Sequence, residues 1–85
     1  MSITRGIELS KAEQRKLIGI SRWKAVLDNR KLRMDCPNSY HDELLRAVDE
    51  LQRLNLVTWE EWRDLRREAD AAYLGAVAGL DYQLL

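Results

Sequence analysis

With 85 residues the chain has the length of one domain, just above the size at which a single core becomes marginal without staples. Phe is absent, Pro occurs once and Gly four times, whereas Leu, Ala, Arg and Glu abound, so the composition favours helix over strand. A single Cys excludes an internal disulfide and with it a disulfide-held secreted scaffold, and 14 basic side chains cancel 14 acidic ones, unlike the usual basic nucleic-acid binder.

The N-terminal residues contain no apolar stretch of signal-peptide length. The longest apolar run, residues 71–80, is interrupted by Gly75 and Gly79 and falls well short of the ~20 residues that span a bilayer. These features lead us to expect a soluble cytoplasmic chain without a membrane segment.

Charge is unevenly distributed. Residues 1–35 carry nine Lys or Arg against four acidic residues, and residues 36–85 carry five against ten. Either a basic helix lies on an acidic pair of helices, or one half of the chain meets a charged partner.

Residues 1–9 are expected to be loose, with Ile3 and Ile7 free to pack or not. Ser10 and Glu13 then form an S-x-x-E capping box, in which hydroxyl and carboxylate satisfy two otherwise unpaired backbone N–H groups, and open the first helix. Leu9, Ala12, Ile20, Trp23, Leu27 and Met34 follow along one side of a helical wheel, with Leu17 at its edge. The stripe predicts one unbroken helix over 10–34, passing over Gly19 at a cost of about 1 kcal/mol relative to Ala. On that rod Lys11, Arg15, Arg22 and Arg33 share a line, with Ile18, Val26 and Asn29 in its gaps. A basic line interleaved with aliphatics suits an acidic partner surface, or a second subunit around which the arginines snorkel.

Pro37 is expected to end the first helix and Ser39 to cap the second, with Asp42 favouring its N-terminus. Tyr40, Leu44, Ala47, Leu51 and Leu54 alternate spacings of four and three over a helix at 39–54, a seam suited to packing against another helix. Its end is marked by Asn55, which tolerates the left-handed conformation that stops a helix. Thr58 and Glu61 make a second capping box, and Val57 and Trp62 occupy the positions of a hydrophobic staple. The third helix, 58–78, carries Trp62, Leu65, Ala69, Ala72 and Ala76 on its main seam, with Ala71, Gly75 and Gly79 as a small-residue row beside it. Glu60 with Arg63 and Arg66 with Asp70 are expected as surface pairs. The tail 80–85 is apolar and is expected to dock on something.

The expectation is therefore an all-α fold: a small three-helix bundle built on a C-terminal antiparallel helical hairpin, forming one domain over 1–85. Leu17, Ile18, Ile20, Val26 and Leu32 offer more apolar surface than three short helices hide, which points to a homodimer or a covering partner.

Catalytic and metal chemistry find little support in the residue inventory. Cys36 and His41 are the sole soft metal ligands, whereas a closed zinc site takes four, so only a symmetric dimer would complete one. A nucleophile–histidine arrangement would have to use His41 with Cys36, and no third orienting group is evident. No glycine-rich phosphate loop exists. We therefore expect no enzyme, no metal and no cofactor.

Ile18, Gly19, Ile20 and Ser21 resemble the turn of a DNA-binding helix-turn-helix, with Ser21 capping a recognition helix. That resemblance implies Arg22, Lys24, Arg30 and Lys31 directed at phosphates and bases, and requires a break at Gly19. Arg15 stands where the motif takes a small residue, Gln14 where it takes an apolar one, and Asp28 where the second helix faces the core.

The favoured expectation is a non-catalytic protein–protein interaction module, a small intracellular adaptor or inhibitor of the kind encoded by bacteria or their phages. Lys11, Arg15, Arg22 and Arg33 would meet a partner's acidic surface. Trp59, Tyr82 and Leu84 would anchor it, since exposed aromatics commonly anchor interfaces. A helix-turn-helix regulator bound to DNA is the alternative.

Overall fold

A computed structural model describes residues 10–78. Among these residues the chain is all-helical and forms α1 (Lys11–Leu27), α2 (Arg30–Asp35), α3 (Pro37–Arg53) and α4 (Trp59–Val77), with no strand.

The Ser10 box forms as its spacing predicts. Ser10 Oγ accepts from the Glu13 backbone N–H at 3.1 Å, and Glu13 Oε1 accepts from the Ser10 N–H at 2.9 Å. From there α1 runs without interruption through Gly19 to Leu27.

The expected rod over 10–34 is corrected, however, because the helix stops at Leu27 rather than continuing to Met34. Asp28 caps α1, its N–H bonding the Lys24 carbonyl, and Asn29 then caps α2, its side chain accepting from Leu32 N–H at 3.0 Å. Asp and Asn compete with the helical ladder by bonding nearby backbone groups, and two in succession offer an end and a fresh start. Tyr40 reinforces the stop by donating its hydroxyl to the Leu27 carbonyl at 2.7 Å.

The start of the next helix also differs from expectation. Pro37 is the first residue of α3 rather than a linker residue, a position where its missing N–H costs nothing. Ser39 therefore does not cap the helix. Cys36 is the capping residue and makes no side-chain capping bond; its thiol donates to Ser39 Oγ at 3.1 Å.

The corner between α3 and α4 closes as the sequence indicates. Asn55 adopts φ 58°. Leu56 N–H bonds the Leu51 carbonyl at 2.9 Å and Asn55 N–H bonds that of Gln52 at 3.0 Å, the paired bonds of a Schellman end. Thr58 and Glu61 then form their reciprocal box at 3.1 and 2.8 Å.

Early α3 meets late α4 and late α3 meets early α4. Tyr73 donates to Asn38 Oδ1 at 2.7 Å, and His41 Nε2 lies 2.7 Å from Asp70 Oδ1. At the other end Asp49 accepts from the Trp62 indole and from Arg66, both at 2.9 Å. The expected surface pairs are thus replaced, since Arg66 turns to Asp49 instead of Asp70 and Arg63 sits beside Asp64 instead of Glu60. For Arg66 the carboxylate lies on the facing helix, so this pair also ties α3 to α4, whereas Arg63 pairs with its own neighbour on α4.

The core lies where α1 crosses this pair. Trp23, Tyr40, Leu44, Val48 and Ala69 are fully buried, ringed by half-buried Val26, Leu27, Leu32, Leu45, Ala47, Trp62, Leu65 and Ala72. Trp23 donates its indole N–H to the Leu44 carbonyl at 3.0 Å, so its one polar atom is satisfied on burial. Truncating such a residue to Ala costs about 3–5 kcal/mol, a large share of the stability of so small a domain. Val48 lies off the seam read from the sequence, whereas Leu54 lies on it and stays exposed.

Candidate protein-binding groove

Gly19 decides how α1 meets α3. A β-carbon built there would overlap Leu51 Cδ2, so the missing side chain lets the helices approach closely. Glycine thus acts as a packing surface in a helix interior, and its conformational freedom is not used.

Above this contact an open groove runs between the two helices, with a volume of about 390 Å3. Ile18, Trp23 and Val26 of α1 line one side, and Ala47, Leu51, Leu54 and Leu56 line the other. Ile18 is 53% exposed and Leu54 48%, large values for aliphatic side chains. Leu17, on the same helix, is also exposed.

Charge is arranged asymmetrically around the apolar floor. On the α1 rim stand Arg15 and Arg22, both exposed and with no ion pair among the described residues. On the α3 rim stands Glu50, and it is already matched: Arg53 Nε donates to it at 2.9 Å and a second guanidinium nitrogen completes the fork. That guanidinium holds the Glu50 carboxyl below its ordinary range. The rims together are therefore electropositive.

Of the side chains expected to bind a partner, the structure brings Arg15 and Arg22 together at the groove, with Ile18 between them. Lys11 lies on the same exposed helix but outside the groove lining. Arg33 is corrected out of the line, because the stop at Leu27 places it on α2, where it is half-buried and has interactions of its own. Trp59 is 60% exposed at the start of α4 and does not line the groove; the Arg63 guanidinium covers its ring at 5.2 Å. Tyr82 and Leu84 lie outside the described residues, as do Gly79 and the rest of the tail.

Lys16 anchors α1 from its other side. It donates to both Glu61 oxygens at 2.9 and 2.7 Å, so one carboxylate both completes the α4 capping box and holds α1 in place. Its carboxyl falls below the ordinary range, chiefly through Lys16 and next through the Thr58 backbone.

A second polar cluster joins the far ends of α3 and α4. The His41 ring stacks against Tyr73 with centroids 4.5 Å apart while its Nε2 meets Asp70. Asp70 is the orienting group for His41 that the sequence did not reveal, being 29 positions away. Cys36, by contrast, engages Ser39, whose hydroxyl and then backbone N–H can donate to the ionised sulfur and so lower the thiol's pKa. Among the described residues, no three His, Cys, Asp or Glu side chains are grouped as metal ligands.

The helix-turn-helix resemblance requires a corner over residues 18–21, and α1 is continuous helix there. Among the described residues no helix is long and apolar enough to cross a membrane. The α3 wall of the groove escaped the sequence analysis because Leu51 and Leu54 fit a buried seam; Gly19 was the available signal, as a small residue opposite that seam. Compared with protein-family models, curated proteins and solved structures, the chain matches none.

Proposed function

We propose that this chain is a non-catalytic protein-binding module, a small cytoplasmic adaptor or inhibitor of the kind bacteria and their phages encode, built on an antiparallel α3–α4 hairpin. The observation that carries this reading is the α1–α3 groove, where an apolar floor lies beside two arginines with no ion pair among the described residues. Its mechanism is occlusion: Arg15 and Arg22 meet an acidic surface on the partner, and Ile18 and Leu54 lose their water. Burying a large aliphatic side chain contributes about 1.5–3 kcal/mol when complete; Ile18 and Leu54, half-exposed, have roughly half of that left to gain. The arginines set orientation and encounter rate more than affinity. Trp59 offers a further aromatic contact, and a homodimer is a second way of covering the same apolar surface.

Affinity capture from bacterial lysate tests this. Immobilised wild-type chain should retain acidic proteins that the Arg15→Glu/Arg22→Glu variant loses while keeping its helicity. Identical retention by the two would remove the groove from the function. Nonspecific DNA at low salt should show no gel shift; a salt-sensitive shift would favour DNA binding.

A further inference from the structure

Building on the partner-binding reading above, we propose that the α1–α3 groove receives a single amphipathic helix whose apolar seam is flanked by acidic residues seven positions apart. The walls are α1 on one side and α3 with the turn at Leu54 and Leu56 on the other, and among the described residues no strand offers a sheet edge to an extended segment. An occupant pressed onto the apolar floor must satisfy its own backbone N–H and C=O groups, and a helix does so internally.

The dimensions agree with this. The α1 wall runs from Arg15 to Val26, which at the helical rise is about 16 Å, or roughly three turns. Arg15 and Arg22 are two turns apart with Ile18 between them on the same side. Two acidic residues at i and i+7 on a neighbouring helix match that spacing, in the way that e and g positions meet across a coiled coil. Ile18, Leu54 and Leu56 then form the seat for its apolar seam.

Charge favours this occupant over α3 of a second copy. The outer row of α3 alternates Glu43, Arg46, Glu50 and Arg53 and carries no net charge. Laid on another copy's groove, that row would bring Arg46 and Arg53 as well as Glu43 and Glu50 towards Arg15 and Arg22, so attraction and repulsion offset. Glu50, already held by Arg53, offers little in return.

Calorimetric titration of the full chain with two blocked peptides tests the proposal. Each peptide has about three heptads with leucine at a and d; one carries glutamate and the other lysine at e and g. The glutamate peptide should bind about ten-fold tighter at low salt, and Arg15→Glu/Arg22→Glu should invert that preference. Should charge reversal disturb the fold, Arg15→Gln/Arg22→Gln should abolish the preference. Amide shifts should centre on Gly19, Val26 and Leu54.

Equal binding of the two peptides, or a preference unchanged in the variants, would overturn the proposal. So would sedimentation showing a wild-type dimer that the same variants dissociate. If the glutamate peptide fails while lysate capture still depends on Arg15 and Arg22, the helical occupant is wrong and the protein-binding reading stands. If capture also loses that dependence, the two fall together.

Discussion

Gly19 of α1 lies so close against Leu51 of α3 that a β-carbon at position 19 would overlap Leu51 Cδ2. One glycine thereby sets the separation of two helices, seats Leu51 and leaves the groove open above it. The substitution Gly19→Ala meets two opposed effects here. Helix propensity favours Ala by about 1 kcal/mol, and overpacking costs about 1–3 kcal/mol. Leu51 is 5% exposed and must turn aside, so the net expectation is a loss of about 1 kcal/mol, read as a lower urea midpoint. In a Leu51→Ala background the obstacle is gone, and the same substitution should stabilise by about 1 kcal/mol. Effects of the same sign in the two backgrounds would deny the contact.

Tyr40 is fully buried, and its hydroxyl ends α1 by bonding the Leu27 carbonyl. Tyr40→Phe keeps the ring and deletes this one bond, so it should cost about 1 kcal/mol. Amide hydrogen exchange should quicken around residues 24–29 more than within α4. A uniform change along the chain would mean that the bond does not hold the helix end.

Glu61 governs an acid-dependent part of the stability. Its folded carboxyl lies below the ordinary value, through Lys16 first and the Thr58 backbone second. A carboxyl depressed on folding adds stability above its unfolded pKa, and loses it as pH falls through the folded one. Glu61→Gln should therefore lower stability at neutral pH and flatten the decline on acidification. Urea midpoints taken from neutral to acid pH check this; parallel curves for wild type and variant would contradict it.

The helix ends were the most legible part of the fold, because capping chemistry is local. Ser10 with Glu13, Asn55, and Thr58 with Glu61 each specify a backbone arrangement within a few residues. The break at Asp28 and Asn29 went unseen because the apolar stripe runs on through Met34 in helical register, and that periodicity outweighed two capping residues. Pro37 was misplaced because a proline marks the end of one helix and the first turn of the next equally well. At the groove, Arg15, Ile18 and Arg22 could be read from spacing along one helix. Its opposite wall and the His41–Asp70 contact depend on which helices meet, which local patterns do not encode.

The row of Arg15, Ile18 and Arg22 exists only while α1 continues through Gly19. Backbone chemical shifts of the labelled chain in solution measure that directly. Helical Cα shifts should persist without interruption over residues 11–27, lapse at Asp28 and Asn29, and return from Arg30. A lapse over residues 18–21 instead, with a second helix starting at Ser21, would dissolve the groove's basic rim and move the DNA-binding alternative to first place.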